Sequence, residues 1–152
     1  MSSNAVRVDI PQDNFNAYVD LYANIAPERL AEFHDICTPD MYFRDPFNEV
    51  RGVDKLIYLL DHMFQATEAP TFKINHRVFG EKVGFVSWQF SARILKGGID
   101  LDFPGTSELH LADDGRVCAN IDYWDVSAHV FEKIPFVGAP IRGLRQFMAV
   151  KI

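Results

Sequence analysis

The sequence lacks the features that mark several large classes of protein. Its 152 residues include only two cysteines, Cys37 and Cys118, which are too few for a disulfide scaffold and have no metal-ligand spacing. No stretch approaches the roughly 18 apolar residues of a membrane-spanning helix. The opening MSSNAVRVDIPQDN lacks the apolar core of a signal peptide. We therefore predict a cytoplasmic protein with reduced cysteines, and membrane contact is not expected.

Positive charge is also in short supply. The chain has 15 Lys and Arg residues against 21 Asp and Glu residues, for a formal net charge of −6. No basic stripe is present, so nucleic acid is not an expected partner. The sequence has no phosphate-binding loop, dinucleotide fingerprint or Gly-x-Ser-x-Gly elbow, and its five histidines show no metal-ligand spacing. We predict neither a cofactor nor a metal.

A change in hydrophobic period divides the chain. Up to about residue 67, apolar residues recur at helical spacing and predict three helices, which begin near Pro11, at Pro27 and at Val53. A short strand is predicted between the second helix and the third. From Phe72 onward, apolar and polar residues alternate and predict four strands, over 72–78, 86–94, 106–112 and 116–125. Helices followed by an antiparallel meander are typical of an α+β domain with helices on one face of a sheet.

Length and composition fit one domain. Apolar residues make up 48% of the chain, and a chain of this length can bury most of its apolar surface. We predict a single domain over residues 1–152 with its core at about 11–125. Two prolines and two glycines interrupt residues 126–152, so this segment is expected to form a lid or a packing element.

The stretch YFRDPFNEVRG, residues 42–52, places charge inside an apolar pattern. Asp45 lies among aromatic residues, where an unpaired carboxylate is costly to bury, and Pro46 follows it directly. One interpretation is structural: an aspartate before proline fixes a turn and accepts local N–H bonds. The other is chemical: Asp45 lines a partly dry pocket and acts as a base. The residues alone leave both interpretations open.

The order of elements, together with three segments, resembles the NTF2-like superfamily and, within it, the SnoaL-like and ketosteroid-isomerase-like group. The segments are NAYVDLYANI in the first helix, FRDPFNEVRG, and the final hairpin GTSELHLADDGRVCANIDYWD. The resemblance covers roughly residues 11–125. It implies a cone-shaped α+β fold, in which a curved antiparallel or mixed sheet carries the three N-terminal helices on its concave face around an apolar pocket.

The resemblance also implies roles for particular residues. Asp45 stands where the isomerases have their proton-shuttling base, and Tyr18 stands where they have a phenol. Ser107 takes the position of their second, protonated aspartate, and a serine is a weaker hydrogen-bond donor than that acid. The SnoaL cyclases place an acid/base aspartate late in the sheet, which corresponds here to Asp122. We therefore predict Asp45, Tyr18 and Asp122 as catalytic residues.

Strand alternation adds candidates for substrate binding. Asn120, Asp122 and Trp124 share one face of the last strand, and a one-residue change of register would turn all three outward. Asp122 could then pair with Arg77 or Arg93. The predicted substrate-binding residues combine polar groups with flat aromatic surfaces: Ser107, Asn120, Trp88, Trp124, Phe43, Phe90 and His76. Any of the aromatic residues could instead simply fill the core.

Two functions remain open from the sequence. The first is cofactor-independent proton transfer on a small hydrophobic carbonyl compound, of the isomerase, cyclase or dehydratase type. The second is binding of a small hydrophobic ligand without turnover, so the sequence leaves open whether the protein is an enzyme. A homodimer formed through the outer face of the sheet is expected in either case.

Overall fold

A mixed six-stranded sheet organises the protein. The computed structural model describes residues 10–151, and the predictions made for the first nine residues and for the last one lie outside this range. The strand order is β2-β1-β6-β5-β4-β3, in which β1 and β6 run parallel and all other neighbours run antiparallel. The strands are β1 Cys37–Arg44, β2 Glu49–Arg51, β3 Thr67–Gly80, β4 Val83–Ile94, β5 Ile99–Leu111 and β6 Val117–Tyr123.

Helices cover the concave face of this curved sheet. They are α1 Ile10–Ala23, a 3-10 helix at Pro27–Glu32 that continues into α2 Phe33–Ile36, and α3 Val53–Ala66. Helix α1 packs on β3 and α3 packs on β1 and β3, so the apolar stripes of both helices are buried against the sheet. The predicted fold class, an NTF2-like α+β cone, is confirmed.

Side chains of the long strands alternate between the two faces of the sheet. In β4, Val86, Trp88 and Phe90 are buried on the concave side. Gly84 lies on the same side, and a Cβ atom there would come within 2.2 Å of the Phe15 ring of α1. The helix therefore approaches the sheet this closely only because residue 84 has no side chain.

Strand β5 is longer than predicted. It was predicted to begin at Thr106, but it begins at Ile99, includes the poor strand residues Pro104 and Gly105, and pairs with the whole of β4. Gly105 lies opposite Trp88. A Cβ atom at residue 105 would lie 2.2 Å from the Trp88 ring, so the glycine creates the space for the indole.

The C-terminal segment consists of α4 Val126–His129, a 3-10 helix at Phe131–Lys133 and α5 Gly138–Met148. Asp125 caps α4 by accepting a hydrogen bond from the Ala128 amide at 3.0 Å. Helix α5 packs on the 3-10 helix, where Arg145 pairs with Glu132 at 2.6 Å. None of the helices between residues 10 and 151 is long and apolar enough to cross a membrane.

Candidate active site

A cavity of about 490 Å³ lies between the concave face of the sheet and the helices. This main cavity is within the size range of small-molecule sites, and its walls are predominantly aromatic and aliphatic. It is lined by six of the residues predicted for the site: Phe43, Asp45, Trp88, Phe90, Asp122 and Trp124. These residues are far apart in the sequence. The strand order brings them together because it places β1 and β6 side by side.

The aromatic wall of the main cavity is built from stacked rings. Trp124 stacks on Phe103 with ring centroids 4.3 Å apart and an interplanar angle of 20°. Phe47, from the turn after β1, meets Trp124 edge-on at 5.6 Å. Flat rings on several sides suit an apolar ligand with a planar part.

Strand register turns Asp122 toward the interior. Asp122 pairs with Ser107, and Ser107 pairs in turn with buried Val86, so all three share the concave face. The Ser107 hydroxyl donates a hydrogen bond to Asp122 Oδ1 at 2.6 Å and accepts one from Trp88 Nε1 at 2.8 Å. The indole therefore fixes the direction in which the serine donates.

The environment of Asp122 favours its neutral form. Burial raises the pKa of this carboxyl to about 7; the hydrogen bond from Ser107 opposes the rise, and the negative charge of Asp45 adds to it. The two arginines considered as partners lie elsewhere: Arg77 pairs with Asp20 at 3.0 Å and Arg93 with Asp100 at 2.6 Å. Asp122 is thus a carboxyl that can gain or lose a proton near neutral pH.

Asp45 is held by the turn that joins β1 to β2. Its Oδ1 atom accepts hydrogen bonds from the backbone amides of Phe47 at 2.7 Å and Asn48 at 2.6 Å. The Asn48 side-chain amide lies 3.2 Å from both carboxylate oxygens. These contacts are the ones expected if Asp45 fixes the turn. The Asp45 side chain also lines the main cavity.

A second, smaller cavity of about 20 Å³ adjoins the main cavity at Tyr22, Phe72, Trp88 and Asp122, which line both, and we call it the deep chamber. Tyr18, Ser107 and Asn120 line it, together with Tyr22, which sequence analysis did not select. Asn120 is fully buried and donates a hydrogen bond from Nδ2 to the Tyr18 hydroxyl at 3.1 Å. Tyr18 and Tyr22 are four residues apart on α1, and this spacing was the signal that could have identified Tyr22.

Both tyrosines of the deep chamber stay protonated. Burial raises the pKa of each hydroxyl well above its ordinary value, and the charge of Asp122 adds to this effect. The Tyr22 hydroxyl lies close enough to Tyr18 and Asn120 for both to influence its pKa, but it makes no hydrogen bond of normal geometry. Each tyrosine can therefore act as a hydrogen-bond donor at neutral pH.

His76 does not reach either cavity. Alternation predicted it on the pocket side, but an irregularity in the pairing of β3 with β4 lies between Ile74, opposite Trp88, and His76, opposite Ser87. The extra residue reverses the alternation, so His76 is exposed on the outer face and Arg77 takes the inner position. Within residues 10–151, no three His, Cys, Asp or Glu side chains are grouped as metal ligands would be.

The sequence profile of the SnoaL-like domain matches residues 17–120 of the chain, which is most of its length. The protein belongs to the SnoaL-like domain family. No match to a curated protein was found.

Solved structures show the same fold. A protein from Jannaschia sp. CCS1, provisionally named a SnoaL-like polyketide cyclase, superimposes with a TM-score of 0.67 at 17% identity over 80% of this chain and 92% of its own. A protein from Catenulispora acidiphila DSM 44928 with a ketosteroid isomerase-like fold, solved with trimethylamine, gives 0.65 at 12% identity, covering 78% and 89%. An NTF2-like protein of unknown function from Exiguobacterium sp. 255-15 gives 0.63 at 16% identity, covering 74% and 98%.

Proposed function

We propose that the protein catalyses cofactor-independent proton transfer on a small hydrophobic carbonyl compound bound in the main cavity. The observation that carries the proposal is the position of Asp122, a carboxyl with a pKa of about 7 that borders an apolar cavity. A general acid/base is most effective when its pKa lies near the working pH. The names of the structural relatives, cyclase and isomerase-like, are compatible with this chemistry.

In the proposed reaction, ionised Asp122 removes a proton from the carbon next to the carbonyl group. The same carboxyl then returns that proton to another atom of the substrate, which gives an isomerisation, an aldol-type cyclisation or a dehydration. The predicted site residues Tyr18, Ser107 and Asn120 line the deep chamber instead of the main cavity. The proposal therefore assigns the proton transfer to Asp122 alone.

Asp45 receives a different role from the one predicted. Its carboxylate is committed to the amides of its own turn, so it is a poor candidate for a base that must move a proton. Its negative charge still contributes to the raised pKa of Asp122. We propose that Asp45 holds the turn and acts on Asp122 electrostatically.

The test uses 4-hydroxy-4-phenylbutan-2-one, a small aryl ketone, and follows exchange of its α-protons in D₂O by NMR. Asp122→Asn should reduce the exchange rate by about 100-fold or more, which is the usual contribution of a general acid/base. Asp45→Asn should have a smaller effect, because an amide oxygen can still accept the hydrogen bonds of the turn. Asp102→Asn is the matched control, since Asp102 is exposed and bonded to Gln89 and Ser91 on the outer face. Full exchange by the Asp122→Asn protein would refute the assignment.

Ligand binding without turnover is the second candidate. It is favoured by the engagement of Asp45 in its turn, which leaves Asp122 as the carboxyl of the cavity that is not bound to turn amides. Native mass spectrometry of gently purified protein would detect a retained hydrophobic ligand. An empty cavity together with no thermal shift across hydrophobic compounds would exclude this candidate.

A homodimer through the outer sheet face also remains a proposal. Phe85 and Tyr123 are about half exposed, and both side chains lie on that face. Apolar side chains of this size are often covered by a partner when they form a continuous patch. Size-exclusion chromatography with light scattering measures the oligomeric state directly, and a monomer at all concentrations would reject the dimer.

A further inference from the structure

The deep chamber contains two polar atoms that have no hydrogen-bond partner. They are Asn120 Oδ1 and the Tyr22 hydroxyl oxygen, and both are buried. Asn120 is 1% exposed and Tyr22 is 9% exposed, so neither group reaches bulk water. Buried polar groups in native proteins are almost always paired, and both residues line the deep chamber, so a group held in the chamber is expected to pair with these atoms.

The two unpartnered atoms restrict the chemistry of that group. Asn120 Oδ1 can only accept a hydrogen bond, so the group must carry a donor. A carbonyl oxygen would fail this requirement and a methyl group would satisfy neither atom. The Tyr22 hydroxyl can donate, so the group should also carry an acceptor. A hydroxyl group or a water molecule has both properties.

The size of the chamber gives the same answer. Its volume of about 20 Å³ is enough for one water molecule, which needs roughly 10–15 Å³ on this measure. A carbon skeleton does not fit there and must lie in the main cavity. Asp122, Tyr22, Phe72 and Trp88 line both spaces, so Asp122 lies where the place for the skeleton adjoins the place for the hydroxyl group.

We propose that the deep chamber binds the hydroxyl group of a β-hydroxy carbonyl compound, and the water that it becomes, so that the reaction at Asp122 is the elimination of water or its reverse. This inference rests on the proposed function and narrows it to one of its three reaction types. Ser107 is not available as the chamber's donor, because its hydroxyl already donates to Asp122. Tyr22 and Asn120 therefore orient the hydroxyl group.

The elimination balances without any further reactant. The Asp122 carboxylate takes the proton from the carbon next to the carbonyl group, the C–H bond breaks, and its electron pair forms the enolate. The enolate electrons then form the carbon–carbon double bond as the C–O bond to the β-hydroxyl breaks. The leaving oxygen takes the proton from Asp122 and departs as water, which returns Asp122 to its carboxylate form. The products are an enone and water.

The experiment measures two rates on 4-hydroxy-4-phenylbutan-2-one: α-proton exchange in D₂O, and formation of 4-phenylbut-3-en-2-one by its ultraviolet absorbance. In the Tyr22→Phe protein the ratio of dehydration rate to exchange rate should fall by at least about tenfold. Only the dehydration step needs the Tyr22 hydroxyl, which stabilises the leaving oxygen. Tyr58→Phe is the matched control, since Tyr58 is exposed on α3, and its ratio should equal that of the natural protein.

A second measurement needs no variant. The natural protein incubated with 4-phenylbut-3-en-2-one in H₂¹⁸O should produce the β-hydroxy ketone with the label on its hydroxyl oxygen. Exchange of α-protons without dehydration or labelling, or an unchanged ratio in Tyr22→Phe, would overturn the inference and leave the proposed function standing. Absence of exchange as well would overturn both.

Discussion

The raised pKa of Asp122 predicts an unusual dependence of stability on pH. The carboxyl has a pKa of about 7 in the folded protein and about 3.8 in a model compound, which represents the unfolded chain. Between these two values the folded state holds a proton that the unfolded state has lost. The free energy of unfolding should therefore fall as the pH rises through this window, opposite to the behaviour of a salt-bridged aspartate.

The size of the effect follows from the shift of about three pKa units. At about 1.4 kcal/mol per unit, Asp122 should destabilise the folded protein by about 4 kcal/mol at pH 8 relative to pH 4. Asp122→Asn removes the titration but retains an oxygen that accepts the Ser107 hydrogen bond. The variant should therefore gain stability over the natural protein as the pH increases, by about 4 kcal/mol across the window.

Urea unfolding followed by tryptophan fluorescence is the appropriate assay, because Trp88 and Trp124 both line the main cavity. Unfolding curves of the natural protein and of Asp122→Asn are compared at several values between about pH 4 and pH 8. Asp102→Asn is the control. Hydrogen bonds from Gln89 and Ser91 lower the pKa of Asp102, so its contribution to the free energy of unfolding is lost only below this pH window. A constant difference between Asp122→Asn and the natural protein would refute the reasoning.

Three further predictions concern the neighbours of this carboxyl. Ser107→Ala removes a hydrogen bond to the ionised form, so the pKa of Asp122 should rise by about one unit, which ¹³C NMR of labelled aspartate measures. Gly105→Ala places a methyl group against Trp88, and urea unfolding should show a loss of about 1–3 kcal/mol; unchanged stability would contradict the close contact. Asp45→Ala should cost about 2 kcal/mol through the lost turn bonds and Asp45→Asn clearly less, whereas equal losses would show that charge matters more than the turn.

The fold could be predicted because its main signals are local. Helical spacing before residue 67 and strict alternation after residue 72 fix which side of each element is apolar, and apolar sides must be buried together. Alternation also placed Trp88 and Phe90 correctly on the concave face of β4. It failed at His76, because an extra residue in one strand depends on the partner strand and leaves no mark on the hydrophobic pattern.

The relation between the two aspartates could not be predicted in the same way. The segment FRDPF indicated that Asp45 belongs to a turn or to a pocket. Only the structure shows that backbone amides of the turn donate hydrogen bonds to its carboxylate. Asp122 was a candidate whose direction depended on register, and its pairing with Ser107 turns it inward. Tyr22 was overlooked because a tyrosine on the apolar face of a helix is usually only a packing residue.

The sequence by itself determined the α+β cone, the concave apolar surface and the short set of polar residues that can face it. The tertiary structure alone decided which of those residues can do chemistry. Asn120 and Tyr18 meet although they are 102 positions apart in the chain. The same assembly shields much of Asp122 from water and leaves two unpartnered polar atoms beside a space for one small group. Periodicity is a property of one segment, whereas desolvation and hydrogen bonding depend on what the other segments place beside it.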